Sequence, residues 1–366
     1  MRLLSDCGED RVGAPHPIAP LTDSRKVESM SELRQDPSTK EWVIIASERA
    51  KRPHEFQRSN PLPRPPGKCV FCPGNEDQTP PELWRSPPPP AEWAVRVVPN
   101  KFAALSTNTI LIPDGQTPLF RRMEGFGYHE VIIETPHHDR WMALMEPEEV
   151  RQVLVVFRER YWALRKDRRI RLVLLFKNHG LAAGTSIDHP HCQAIATPII
   201  PSNVRRKYDV AVQHYDDTGR CIYCDIVKSE SEAERVVKRS DHFLVFEPFA
   251  SRSPFETWIA PFRHSPCFGN ITDPELTNLA TVLQETLARL YHGLNNPDFN
   301  LIVHTAPAED ESQPYYLWHI QIVPRLATPA GFEIGTGIYV NPSLPEECAS
   351  FLRSVQTPSR APAAAV

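Results

Sequence analysis

Apolar residues along this chain fall into two spacings that alternate. Runs rich in β-branched and aromatic side chains, at 128–135 and 171–176, read as strands. Between them, residues 146–168 carry apolar positions at helical spacing behind Pro147, which suits a first-turn position. The later part repeats this order. Strand-like runs at 243–250 and 255–260 precede a helical stretch at 273–294 behind Pro274, and the apolar strand 299–304 follows. Each series closes on a histidine-bearing strand, 188–195 in one and 318–323 in the other.

Cysteines extend the match. Cys69-Val-Phe-Cys72 precedes the first series and Cys221-Ile-Tyr-Cys224 the second, and each second strand ends near a histidine, His138 or His264. A shared order of five features, with insertions confined to loops, predicts a duplicated unit. The expected fold class is α+β, a tandem duplication in which an antiparallel sheet with helices occurs twice. The predicted divisions are an extension over 1–30, a first half over 31–200, a second over 201–355 and a flexible tail over 356–366.

Composition narrows the function. The chain has 366 residues, 41 basic against 45 acidic, for a formal charge of −4. That balance argues against partners that need a basic surface, so neither a nucleic acid nor a membrane is expected. No apolar run approaches the ~18 residues of a membrane helix, and no secretory segment opens the chain, so a cytoplasmic location is expected. Proline, at 38 residues, is concentrated at 61–66 and 87–90, which read as extended surface loops.

Two C-x-x-C pairs in a chain without an export signal point to metal or redox chemistry. Cys69 follows a proline-rich loop and Cys72 precedes Pro73-Gly74-Asn75, a context that suits a metal knuckle. Matched histidines supply the remaining ligands: Cys69, Cys72, His138 and His189 for one ion, Cys221, Cys224, His264 and His319 for the other. Thiolate with imidazole favours zinc, and four protein ligands make a closed, structural site. The expectation is therefore two Zn2+ per chain.

The run Gly184-Thr-Ser-Ile-Asp-His-Pro-His-Cys-Gln-Ala-Ile-Ala196 carries the sharpest chemistry. On a strand, His189, His191 and Gln193 share one side while Cys192 and Ala194 take the other. With His189 tied to a metal, His191 stands on a rigid element, as a histidine nucleophile requires. Gln193 can donate to charge developing on phosphorus. Two merely buried histidines would not need this polar row in an apolar strand.

His-Pro-His-Cys-Gln, read with Cys69-x-x-Cys72 and the duplication, resembles the galactose-1-phosphate uridylyltransferase branch of the histidine-triad superfamily. The resemblance runs from Leu33 to about Arg353. It implies a nucleotidyltransferase in which His191 attacks the α-phosphorus of a nucleotide-sugar, giving a covalent nucleotidyl-histidine while Gln193 steadies the phosphoryl oxygens. A second sugar phosphate then takes the nucleotide. It further implies a homodimer whose substrates are a nucleotide-sugar and a hexose 1-phosphate. Arg49 and Arg52 resemble an arginine pair that reaches sugar-phosphate in the neighbouring subunit, with donors that suit phosphate. Asn100 resembles a base- or ribose-contacting residue, although a turn would also use asparagine there. Asn178 and Ser186 resemble nucleotide-phosphate ligands, and Glu333, in Gly331-Phe-Glu333, a substrate contact. Gln321 is placed where His191 stands in the first copy, so the second half is expected to lack a nucleophile.

The main reading is thus a UDP-glucose–hexose-1-phosphate uridylyltransferase of galactose metabolism. Glu333-Ile-Gly-Thr-Gly337 and the second cysteine pair are more similar to the ADP-glucose phosphorylase branch, which passes AMP to inorganic phosphate. No lysine or glutamine of the better-known galactose enzymes matches around that element. A third possibility from another class is a non-catalytic zinc-ribbon interaction protein, which gives no reason for His191 beside Gln193.

Overall fold

The computed structural model describes residues 31–46, 56, 69–109 and 119–357. The expected extension 1–30, residues 358–366 of the expected tail, and both Arg49 and Arg52 lie outside them. Near the start, β1 (Glu32–Gln35) and β2 (Trp42–Ile45) form an antiparallel pair. The main sheet follows with β3 (Trp84–Ser86), β4 (Val95–Pro99), β5 (Tyr128–Ile133), β6 (Leu172–His179) and β7 (His191–Thr197). The second series supplies β8 (Val236–Arg239), β9 (Phe243–Phe246), β10 (Thr257–Pro261), β11 (Phe299–His304) and β12 (His319–Pro324).

These ten strands make one sheet in the order β3-β4-β5-β7-β6-β11-β12-β10-β9-β8. Every pairing in it is antiparallel. Read outward from the centre, both series follow the same order, and they meet through their equivalent strands β6 and β11. Two equivalent strands joined antiparallel imply a pseudo-twofold axis across the sheet, which puts corresponding faces of both copies on one side. The register locates that axis. Phe176 pairs with Gln193 in one copy, Ile302 pairs with Gln321 in the other, and Phe176 pairs with Ile302. The copies therefore superpose Gln193 on Gln321 and His191 on His319. This shifts the sequence alignment by two residues, because interval counting through loops of unequal length cannot fix a strand register.

Two long helices cover one face, and two others pack against the opposite face of the second series. Helix α1 (Pro147–Arg165) starts behind a reciprocal cap, with Glu149 accepting from the Glu146 amide at 2.8 Å. Between β7 and β8 lie α2 (Ser202–Thr218) and α3 (Ile222–Glu230). Helix α4 (Asp273–Leu294) opens with the same device at Thr272 and Glu275, and stops at Asn295, whose φ of 58° ends the helical path. Val153, Phe157 and Leu164 of α1 and Leu276, Leu279 and Leu283 of α4 share one core with Cys192, Ala194 and Ala196 of β7. On the opposite face of β7, Gln193, Ile195 and Thr197 stay partly exposed.

Toward the end of the chain, α5 (Gly331–Thr336) leads to β13 (Tyr339–Asn341), which pairs parallel with β2, and α6 (Pro345–Ser354) packs on the second half. Arg34 donates to Glu346 at 2.9 Å and to the Phe249 carbonyl at 3.0 Å. The pair β1 and β2 is thus fastened to the second series. The 17-residue α2, with Ala211 as its one buried residue, was absent from the pattern read in the sequence because it hides almost no apolar face.

Candidate active site

The C-x-x-C turn at 69–72 sits beside the end of β5 and the start of β7. It brings Cys69, Cys72, His138 and His189 together, with one ligand atom from each within 4.8 Å of all the others. Cys72 Sγ lies 3.5 Å from His138 Nδ1 and 3.6 Å from His189 Nδ1. A tetrahedral ion about 2.3 Å from sulfur and about 2.0 Å from nitrogen would set such an edge at about 3.5 Å. The donor set and spacing fit zinc. His189 is fully buried, and its Nε2 lies 2.8 Å from the Thr135 carbonyl. A carbonyl only accepts, so Nε2 carries the proton and Nδ1 keeps the lone pair that faces Cys72.

The same argument orients His191 the other way. Its Nδ1 lies 2.8 Å from the His189 carbonyl and must carry the proton, which leaves the lone pair on Nε2. Phe71, between the two cysteines, meets the His191 ring edge-on with centroids 5.4 Å apart. The knuckle therefore supports the ring as well as anchoring the strand. Burial, with the Lys177 ammonium adding to it against the His189 carbonyl and the Glu134 charge, holds His191 below the ordinary imidazole range. The ring is neutral at neutral pH.

Beside it, Gln193 Oε1 accepts from His129 Nε2 at 2.7 Å, while His129 Nδ1 accepts from the Ala104 amide at 3.2 Å. With its oxygen held, Gln193 has its NH2 to offer a substrate. Asn100 makes the expected turn, accepting from the Phe102 amide at 2.9 Å, and its Nδ2 lies 3.0 Å from His129 Nε2. Asn178 Oδ1 accepts from Asn300 Nδ2 at 2.8 Å, so the first half's loop is tied to the second half here. Ser186 is exposed on the loop before His189. Glu333 accepts from the Ala330 amide at 3.0 Å and lines a cleft over the second half with Lys207, His304 and Gln321.

Three residues that sequence reasoning passed over matter here. His129 would have been visible as a histidine on the alternate positions of β5 that share a face with Gln193. Glu134 and Lys177 carried no such signal. They form an ion pair beneath β7, with side chains 0% and 2% exposed, where Cys192 Sγ donates to Glu134 at 2.9 Å and Lys177 Nζ reaches the His191 carbonyl at 3.4 Å.

In the second half, Cys221, Cys224 and His264 come together, with Cys224 Sγ 3.2 Å from His264 Nδ1. His319 does not join them. As the counterpart of His191, it directs Nδ1 to the Leu317 carbonyl at 3.2 Å. Its ring stacks between Trp258 and His304 at 4.4 and 4.8 Å. Tyr223, the counterpart of Phe71, covers it at 5.2 Å. The expected fourth ligand thus faces its own ring stack, and Leu317 holds the position equivalent to His189. Gln321 likewise repeats Gln193, accepting from His304 Nε2 at 2.7 Å, so it does not occupy the place of His191. The second copy keeps the histidine but closes it in: its Nε2 is buried without a hydrogen-bond partner among the described residues.

Residues 21–201 match the family described as galactose-1-phosphate uridyl transferase, N-terminal domain, and residues 143–357 match a domain of unknown function, DUF4921. The ADP-glucose phosphorylase of Arabidopsis thaliana is 38% identical over 339 residues, covering 91% of this chain and 95% of that protein. The galactose-1-phosphate uridylyltransferase of Thermotoga maritima is 27% identical over 336 residues, covering 89% and 99%. A crystal structure of an ADP-glucose phosphorylase from Arabidopsis thaliana with bound ADP-glucose superposes with a TM-score of 0.77 at 35% identity, covering 89% and 99%.

Proposed function

Because the chain belongs to the galactose-1-phosphate uridylyltransferase family, and is a nucleotidyltransferase by that membership, we propose that it transfers a nucleotidyl group from a nucleotide-sugar through a covalent bond to His191 Nε2. The observation that carries this reading is the fixed tautomer of His191. With Nδ1 committed to the His189 carbonyl, the Nε2 lone pair attacks the α-phosphorus and the bond to hexose 1-phosphate breaks. An acceptor oxygen then attacks the same phosphorus, and the P–N bond returns its electrons to Nε2. The Gln193 amide donates to the phosphoryl oxygens in both steps, steadied by His129. Lys177 and Glu134 fix the strand below.

Two donors fit. The family description supports uridylyl transfer from UDP-glucose to a hexose 1-phosphate such as galactose 1-phosphate. The 38% identity to an ADP-glucose phosphorylase, with Glu333-Ile-Gly-Thr-Gly337, favours ADP-glucose as donor and phosphate as acceptor. Asn100, Asn178 and Ser186 are assigned to the nucleotide, and Arg49, Arg52 and Glu333 to sugar-phosphate across a homodimer in the cytoplasm. Zinc is assigned to Cys69, Cys72, His138 and His189, where it locks the knuckle against β7, and a second zinc to Cys221, Cys224 and His264.

Intact-mass measurement of the enzyme after incubation with each donor, without acceptor, tests the reading. An AMP-sized adduct discharged by phosphate identifies the phosphorylase, and a UMP-sized adduct discharged by galactose 1-phosphate the uridylyltransferase. An unmodified mass with both donors would sink the mechanism.

A further inference from the structure

On the open face of the sheet, a row of polar side chains runs from His191 across the seam into the second half. Phe176 of β6 pairs with Gln193 of β7, so carrying that register two residues further sets Asn178 across from His191 on the same face. On its other side Asn178 pairs directly with Asn300 of β11. Arg325, just past the end of β12, completes the row.

Hydrogen bonds run in one direction along it. A guanidinium can only donate, and Arg325 Nε donates to Asn300 Oδ1. The Asn300 amide therefore turns its NH2 the other way, donating to Asn178 Oδ1 at 2.8 Å and to the Ala183 carbonyl at 2.9 Å. With its oxygen taken, Asn178 has its NH2 left to offer beside His191. Asn300 is buried, which shields these bonds from water, while Asn178 stays partly open to the face. The same residues steady the loop that carries Ser186: the Arg325 amide donates to the Asp298 carbonyl at 2.7 Å, and Asp298 Oδ2 accepts from the Ala182 amide at 2.6 Å.

The pseudo-twofold axis shows that this grip is not a by-product of the duplicated fold. It relates Asn178 to His304 and Asn300 to Leu174. Leucine offers no hydrogen bond, so the reciprocal grip of the first half on the second copy cannot form. The polar link runs from the second half to the site of His191 and not the other way.

We propose that Asn300 and Arg325 are positioning residues for nucleotidyl transfer: they turn the Asn178 amide so that its NH2 donates to the phosphoryl oxygens as charge builds on them. The proposal rests on the reading that His191 takes the nucleotidyl group and that Asn178 contacts it. A donor fixed in advance stabilises the transition state without having to reorient during the reaction.

The test is the single-turnover rate of adduct formation by the full chain at saturating ADP-glucose or UDP-glucose, whichever labels the wild type. Asn178→Ala is expected to slow it about 100-fold, the loss typical of one such donor. Asn300→Asp is nearly isosteric but cannot donate, so Asn178 must turn its carbonyl towards the phosphate, and a loss of about 100-fold at a similar Tm is expected. In the Asn178→Ala background, Asn300→Asp is expected to change the rate little further, because it acts through Asn178. Arg325 is exposed, so its variants probe the same row without disturbing the core, and they decide the matter if Asn300→Asp does not fold. Arg325→Leu is expected to slow the reaction about tenfold, and Arg325→Gln, which keeps an N–H for Asn300, to recover most of that loss. A wild-type rate in Asn178→Ala or Asn300→Asp, full multiplication of the two asparagine effects, or equal losses in both Arg325 variants would each overturn the proposal while His191 is still labelled. An unlabelled wild type would instead overturn the reading at His191 on which it rests.

Discussion

The proposed role of His191 rests on its two nitrogens having different neighbours: one donates its N–H to a carbonyl, which leaves the lone pair on the other. His191→Ala is expected to lower turnover by roughly 10^4-fold or more with an unchanged Tm, and to abolish the adduct; near-normal steady-state turnover would refute the covalent route. Below the strand, the buried Lys177–Glu134 pair depends on both members. Lys177→Met leaves a carboxylate buried without its cation and is expected to cost about 3–5 kcal/mol in denaturant unfolding. Adding Glu134→Gln should restore most of that loss. If the double variant is no more stable than the single one, the pair does not act as a unit. These two residues were illegible in the sequence, where Glu134 and Lys177 read as ordinary strand charges 43 positions apart. Only the β5-β7-β6 pairing brings them together. His191 and Gln193 were legible because they lie on one strand, where period-two alternation decides which side chains share a face.

At the scale of elements, the loop from β6 to β7 is held by a contact between the halves. Gly180 has φ 82°, and a Cβ there would fall 1.8 Å from Asp298 Oδ1, while Asp298 Oδ2 accepts from the Ala182 amide at 2.6 Å. Gly180→Ala must displace Asp298 and is strained in its backbone as well. Its expected outcome is a lower Tm and a lower kcat together, since the loop leads into His189 and His191. A thermal melt and a rate assay unaffected by the change would show that the loop is not held there. Element boundaries were readable where capping chemistry marks them: α4 begins at Asp273 behind Thr272, as its proline and glutamate suggest. They were not readable for α2, nor for the register of β12. Aligning β12 by loop length put Gln321 on His191, whereas its hydrogen-bonded pairing with β11 puts His319 there.

For the whole molecule, burial gathers neutral histidines. His179 is pushed down to about 4 and His319 to about 3, in each case chiefly by burial, and buried His304 is lowered in the same direction. The unfolded chain protonates these rings below about 6.5, while the folded protein resists. The unfolded state therefore binds more protons across that interval, and stability must fall as pH drops from 6.5 towards 4. Each ring contributes up to about 1.4 kcal/mol per pH unit. Melts between pH 7 and pH 4.5 should show Tm declining below 6.5, and a flat profile would mean that these rings are not buried as described.

The order of spacings, the repeated cysteine pairs and the His-Pro-His-Cys-Gln strand determined the duplicated α+β unit and the first Cys/His cluster from sequence alone, and singled out His191 for the proposed nucleophile, because periodicity and ligand spacing are local properties. What the tertiary structure alone decided is non-local. The β6–β11 seam set the twofold axis, the axis set which second-half residue repeats which, and that assignment left Leu317 where a fourth ligand was expected. Strand pairing has a period of two residues, so a slip invisible in the spacing of motifs changes which side chain faces the cysteine pair and which meets the ring stack.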